Sequence, residues 1–406
     1  MTTIQEKASS GNRCHIGIYG RMNAGKSSLI NAMCNQKISI VSSIPGTTTD
    51  VVKKAMEIHD IGPCLFLDTA GFDDESLLKE ERIQATADTL KETDIAILLF
   101  YSKDTTMEEK FLYRIKNMNI PVIGVLAHSD EFSSEEREER IAEIEKKMGI
   151  PTIAVSAESG WGIPVLLHYL AKVANGKFKR HRMTDGLIDE GDSVLLVMPQ
   201  DKEAPVGRLI QPQVMMIREL LDKHCIVTSV ATEEVESALK NMKVYPKAII
   251  VDSQTFHVVY PLVPEGVLLT SFSILLAGIK GDINYYAKCA SAIENLTEDS
   301  KVLIAECCTH APVEEDIGRV KIPNLLRKKV GQGLHIDVKA GTDFPADASE
   351  YDLIIQCGGC MFNRRYIMNR INHAKYVNVP MTNYGIAIAY LNGILEHVVI
   401  PKGVEE

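Results

Sequence analysis

Two sets of residues in this chain have the types and spacing to do chemistry. The first begins at Gly20, Gly25, Lys26 and Ser27, which fall at the spacing G-x-x-x-x-G-K-S. Glycines there let the backbone wrap a phosphate chain, and successive N–H groups ahead of a helix face negative charge. Asn23, Ala24 and Ser28 complete such a cradle. Lys26 reaches the terminal phosphates and the Ser27 hydroxyl reaches Mg²⁺. Asp68-Thr69-Ala70-Gly71 closes an apolar run, so Asp68 can hold Mg²⁺ through water and Gly71 lets backbone approach a terminal phosphate. Between them Thr47, Thr48 and Asp50 lie in a loop that could order around a γ-phosphate as a switch does.

The second set is sulfur. Cys307-Cys308-Thr309-His310 ends one apolar run, and Cys357-Gly358-Gly359-Cys360 ends another, with forty-six residues between His310 and Cys357. A C-x-x-C turn with two glycines can wrap a metal centre, because its N–H groups can face sulfur. Cys308, Cys357, Cys360 and His310 suit either zinc or an iron–sulfur cluster with one weakly held iron. The plain alternative is a pair of core or redox thiols, which a Cys308-x-His310 pair aimed at the same place argues against. Neighbouring residues at a strand end point oppositely, so only one of Cys307 and Cys308 should face the centre. Cys14, Cys34, Cys64, Cys225 and Cys289 lie in apolar runs or on helical faces and read as small buried hydrophobes.

Short apolar runs alternate with amphipathic stretches to position these groups. Strands are expected at 15–19, 64–67, 95–100, 122–126 and 152–155, and helices at 27–34, 77–91, 106–118, 134–148 and 166–174. This alternation predicts an α/β fold with a mostly parallel sheet covered on both faces. Residues 175–182, polar and basic, read as a linker. A smaller α/β unit follows, with strands at 193–198 and 248–251 and helices at 213–222 and 233–241. The last unit has strands at 301–305, 353–356 and 376–379 and helices at 285–296, 364–374 and 383–395. The expected domains are therefore 1–174, 183–262 and 266–400.

Composition narrows the class. The 406 residues are 45% hydrophobic and 24% charged, with a net charge of −10. That excludes a disordered chain and disfavours coating nucleic acid or anionic membrane. No apolar run reaches the ~18 residues of a membrane span, and the first twelve residues lack a secretory apolar core. A reducing, cytoplasmic setting is expected, where clustered thiols read as metal ligands before disulfides.

The G-R-x-N-x-G-K-S stretch (20–27) with G-T-T-x-D (46–50) resembles translation-factor-class GTPases, in the tRNA-modification and ribosome-assembly branch. The resemblance implies Ser27 and Thr48 as Mg²⁺ ligands, Asp68 behind them, and Asn23 helping to bind a K⁺ that replaces an arginine finger. Phe72 stands where Ras-like proteins place a water-orienting glutamine, which an apolar side chain cannot replace. Slow hydrolysis dependent on a cation or partner is expected. The family's guanine-reading N-K-x-D is here Ala127-His128-Ser129-Asp130. Asp130 can still accept from the base, Ser156-Ala157 matches the element beside it, and GTP with weakened affinity is the expected ligand.

Taken with the C-T-H and C-G-G-C motifs and with 207–213 and 316–323, the whole chain resembles the HydF family of FeFe-hydrogenase maturation GTPases. That implies Cys308, Cys357 and Cys360 as ligands of a 4Fe–4S cluster with an exchangeable fourth position. The family usually has His where this chain has Gln356, and often a second His where it has Ala311. The fourth ligand stays open among His310 and an acidic residue (Asp189, Glu190 or Asp192) of the middle domain, which the resemblance makes a homodimer contact. The implied function is a GTP-hydrolysing scaffold that assembles or carries a di-iron precursor to apo FeFe-hydrogenase, alongside radical-SAM maturases, with no nucleic-acid or membrane partner. The alternatives are an RNA-associated assembly GTPase with a structural zinc domain and, ranked below it, an independent iron–sulfur redox enzyme.

Overall fold

The computed structural model describes residues 10–34, 41–43, 52–72, 85–177, 181–200, 209–307 and 316–404. The chain divides into two compact units, 1–179 and 180–406.

The first unit is built on a seven-stranded sheet in the order β2-β3-β4-β1-β5-β6-β7. Its middle strands β1 (Cys14–Tyr19), β4 (Gly62–Asp68), β5 (Ile95–Phe100) and β6 (Val122–Leu126) are parallel and almost wholly buried. Strands covered on both faces must be apolar along their length, which is why they were legible as runs. β7 (Thr152–Ala154) continues the parallel order. The other edge departs from the parallel expectation: β3 (Val52–Ile58) runs antiparallel to β4, and β2 (Val41–Ser43) antiparallel to β3. Helices Lys26–Cys34, Thr106–Asn117, Ser134–Met148 and Ile163–Lys177 accompany the sheet. Ser134–Met148 starts in a reciprocal cap between Ser133 and Glu136 and stops at Gly149. Of the helix expected over 77–91, residues 85–89 are helical and the part before 85 lies outside the described residues.

The second unit holds two four-stranded parallel sheets over a shared apolar core. One has the order β11-β10-β8-β9, from Leu268–Ser271, Ala248–Val251, Ser193–Val197 and Ile226–Val230. The apolar run at 267–279 divides into β11 and the helix Phe272–Lys280, started by Ser271, whose hydroxyl accepts from the Ile274 N–H. The other sheet has the order β13-β12-β14-β15, from His335–Lys339, Lys301–Ala305, Leu353–Gln356 and Met381–Asn383. The expected strand at 376–379 is not one. The helix Arg364–Tyr376 runs to Tyr376, Asn378 turns the chain at φ 58°, and the strand begins at Met381. The expected helix at 285–296 is Ile283–Cys289 followed by a 3₁₀ turn, and that at 383–395 is Tyr384–Leu391. After the last sheet the chain returns to the first: Val399 N–H donates to Leu269 O and Thr270 Oγ1 donates to Val399 O.

A buried charge cluster braces the first sheet. Glu92 lies 2.7 Å from Lys53 of β3 and 3.3 Å from His15 of β1. Burial alone would raise its carboxyl, but the hydrogen bonds and charges of His15 and Lys53 outweigh that and pull it from 4.5 to about 2. Because the folded value is the lower one, this stabilisation is complete above pH 4.5 and is lost as the pH falls towards 2. Glu92→Gln should lower stability at neutral pH by on the order of 2 kcal/mol and flatten the acid limb. Urea melts at stepped pH would check this, and an unchanged acid limb would refute it.

Candidate functional site

The phosphate loop leaves β1 and enters the helix Lys26–Cys34. Asn23 and Gly25 take left-handed backbone (φ 60° and 89°), which curls the loop. Lys26 is buried, and its ammonium donates to Gly20 O (3.1 Å) and Arg21 O (2.8 Å), so it lies across the loop mouth. Parallel pairing puts Asp68 beside Ile18, and the Ser27 hydroxyl donates to the Asp68 carboxylate at 2.7 Å. The two groups expected around Mg²⁺ thus already touch. Ala24 is buried, Ser28 exposed and Gly71 buried just past β4. Thr47, Thr48 and Asp50 lie outside the described residues. Phe72 is buried and stacked on Phe111 (5.0 Å, 17°), so its ring serves the core.

The base-reading side gathers the ends of β6 and β7. Asp130 lies in the turn Ser129–Glu131, and a hydrogen bond from the buried Ser156 hydroxyl holds its carboxyl below the usual aspartate value. Ala157 follows Ser156, half-buried. Sequence reading gave no role to Tyr101 and His128, whose rings pack at 4.8 Å. His128 takes left-handed backbone (φ 52°), and its Nε2 lies 3.1 Å from where a Cβ on Gly25 would stand. His128 therefore joins the base loop to the phosphate loop. The buried Ser129 hydroxyl has no partner among the described residues.

In the second unit, β12 ends at Ala305 and β14 at Gln356, neighbours in one sheet, so Cys307 and Cys357 leave the sheet side by side. The Cys307 N–H donates to Cys357 Sγ at 3.1 Å. The Gln356 amide donates to Cys307 Sγ (3.1 Å) and Cys357 Sγ (3.5 Å). The Cys307 thiol, hydrogen-bonded to Cys357, holds the latter below the usual thiol value against the opposing effect of burial. Gly359, at φ 72°, turns the C-x-x-C loop, and buried Lys280 donates to Gly359 O (3.2 Å) and Phe362 O (2.7 Å). Cys360 is half-buried against the middle sheet's core. Beneath the thiols Arg370 is buried among the rings of Phe344, Tyr366 and Phe362, at 4.9, 5.2 and 5.3 Å. Among the described residues it has no carboxylate partner, and its Nε is unpaired, while nearby Glu306 is taken by Arg319 at 2.9 Å. Cys308 and His310 lie outside the described residues, and among those described no three potential ligands converge. Asp189, Glu190 and Asp192 lie just before β8, where Asp192 accepts from the Asp189 N–H. Of the other cysteines, Cys64 and Cys225 are buried as expected, whereas Cys14, Cys34 and Cys289 are only half-buried.

Family models match three consecutive stretches. Residues 15–128 match a 50S ribosome-binding GTPase, residues 183–281 the hydrogen maturase F dimerization domain, and residues 284–401 its tetramerization domain. The chain belongs to the hydrogen maturase F family. Its first unit is accordingly a P-loop GTPase domain, a kind that binds GTP with Mg²⁺, and its second carries the family's two oligomerization modules. The sequence reading foresaw self-association through the middle domain but not an association role for the last one. Curated GTPases match part of this chain. The tRNA modification GTPase MnmE of Prochlorococcus marinus is 34% identical over 159 residues, 39% of this chain and 34% of that protein. GTPase Der of Campylobacter concisus is 37% identical over 154 residues, 36% of this chain and 33% of that protein. The chain thus spans about a third of the length of these relatives. Among solved structures, Aquifex aeolicus Era bound to GDP and AlF₄⁻ matches at 27% identity, covering 39% of this chain and 56% of Era, with a TM-score of 0.33. Among the described residues no helix is long and apolar enough to cross a membrane.

The residues present fit the thiolate-held iron–sulfur group that the sequence resemblance implies. Thiolates are soft donors suited to such clusters, and a buried guanidinium with no carboxylate among the described residues calls for negative charge close by. The turn that presents two of those thiolates depends on Lys280. Lys280→Met should remove the ammonium donor from the Phe362 and Gly359 carbonyls, leaving the latter only the Phe362 N–H at 3.2 Å, at about 1–3 kcal/mol. It should also speed alkylation of Cys357 and Cys360 by iodoacetamide several-fold, read by mass spectrometry of the cluster-free protein. Unchanged labelling would mean that the turn holds itself.

Proposed function

We propose that this chain is a GTP-hydrolysing iron–sulfur scaffold that assembles or carries a di-iron precursor and passes it to apo FeFe-hydrogenase, working with radical-SAM maturases. The observation that carries the reading is a C-x-x-C turn beside a buried cation that has no carboxylate partner among the described residues, in a chain that also has a phosphate loop. Cys357 and Cys360, with Cys308, would hold a 4Fe–4S cluster. His310 or an acidic residue at 189–192 from a second copy is the candidate for the fourth position. When bound, the cluster supplies an exchangeable iron to which a small anionic ligand can bridge. The protein's part is to hold that centre with three thiolates, exclude water from its buried side and surround it with N–H donors.

GTP hydrolysis belongs to the first 174 residues, pairing of two copies to the middle sheet and the cluster to the last sheet. GTP entering the phosphate loop would draw Lys26 off the Gly20 and Arg21 carbonyls onto phosphate. It would also open the Ser27–Asp68 hydrogen bond, so that Ser27 and Thr48 ligate Mg²⁺ and Asp68 holds its water. Gly71 would admit the γ-phosphate. Asn23 would help to place K⁺, because Phe72 is committed to the core and cannot orient water. Asp130 would accept from the guanine N1–H and amino group, its carboxylate kept ionised by Ser156.

Purified under argon, the protein should be brown with about one 4Fe–4S cluster per chain. Cys357→Ser should remove the colour and keep the GTPase rate within about twofold. A colourless protein with stoichiometric zinc would overturn the scaffold and support an RNA-associated GTPase with a structural zinc domain. Hydrolysis should be several-fold faster in K⁺ than in Na⁺. Asp130→Asn should weaken GTP at least tenfold and favour xanthosine triphosphate, whose second carbonyl matches an amide donor. A GTP-preferring Asp130→Asn variant would remove Asp130 from base recognition.

A further inference from the structure

Gln356 and Arg370 are fourteen residues apart, on β14 and on the helix Arg364–Tyr376, and both are buried. Arg370 Nη1 donates to Gln356 Oε1 at 3.0 Å. A guanidinium has donors only, so the amide must turn its oxygen towards Arg370. Its NH₂ then has one direction left, towards Cys307 Sγ, Cys357 Sγ and the Cys357 carbonyl (3.1, 3.5 and 3.3 Å). A flipped amide would set NH₂ against the guanidinium and oxygen against sulfur. Arg370 is itself fixed, donating to Gly341 O and, at 3.4 Å, to Glu306 O, within its three aromatic rings. The Asn383 amide holds the Gln356 backbone carbonyl at 3.3 Å.

We propose that Arg370 and Gln356 form an orienting pair for the cysteine site. Arg370 locks the Gln356 amide so that it donates to the Cys357 sulfur, and the pair thereby raises the reduction potential of the cluster that Cys357 holds. The inference rests on the iron–sulfur reading given above. An N–H donated to a ligand sulfur favours the form carrying one more electron. Arg370 is a positioning residue here: it acts through Gln356, and its nearest sulfur, that of Cys307, is 3.8 Å away.

The test is an EPR-monitored redox titration of the full chain, purified anaerobically, as wild type, Gln356→Met, Gln356→Glu, Arg370→Met and the Gln356→Met/Arg370→Met double variant. Gln356→Met should move the potential negative. Gln356→Glu should move it further, since it sets a carboxylate against sulfur. Arg370→Met should also move it negative, and the double variant should fall no lower than the larger single, because the two act in series. If Arg370→Met fails to fold by circular dichroism, the Gln356 variants decide alone. A brown wild type whose potential does not respond to Gln356→Met overturns this inference and leaves the scaffold reading standing. Fully additive shifts overturn the series relation. A colourless wild type overturns the iron–sulfur reading and this inference with it.

Discussion

Parallel strands leave the carboxyl ends of several chain segments along one edge, where the N–H groups of the following turns have no ladder partner. Those turns must find acceptors or face a ligand. In the first unit β1 and β4 end side by side, which brings Ser27 to Asp68. In the second, β12 and β14 end side by side, and the Cys307 N–H finds the Cys357 sulfur as its acceptor. The same constraint produces both candidate sites, one addressed to phosphate oxygen and the other to metal-bound sulfur.

Charges inside the fold are handled in two ways. Glu92 is neutralised by Lys53 and His15, and Glu306 by Arg319, so those charges are closed pairs within the fold. Arg370 is satisfied by carbonyls, an amide oxygen and aromatic faces instead. A buried cation with no carboxylate partner among the described residues is costly, and it persists where something negative completes the site. Structural charges and functional ones are thereby told apart by whether the fold itself supplies the counter-charge.

Much of this was legible in the sequence for identifiable reasons. The phosphate loop is a backbone shape, so its glycines and lysine fall at fixed spacing, and β1, β5 and β6 are apolar runs because helices cover both faces. β3 escaped because it carries Lys53 and Lys54 in succession, which made it look like a loop. In the structure those lysines are held by Glu92 and by Asn31 at 2.7 and 2.6 Å. β9 and β13 escaped because they are short, partly exposed edge strands without a buried apolar run. Residues 376–379 misled because a β-favouring composition cannot reveal that Asn378 closes a helix. Arg370 was invisible: in a helix rich in Arg, Asn and His it reads as one more solvated side chain, and only the tertiary fold turns it under the thiols.

The return of the chain end to β11 alters how the second unit hangs together. Val399 is stitched to Leu269 and Thr270, and Pro401 lies against Gly278, so the final residues clasp a sheet the chain had left well over a hundred residues earlier. This adds a backbone tie to two sheets that already share an apolar core. With the clasp there is no tear line between them, and a strain applied to one module is shared mechanically by the other.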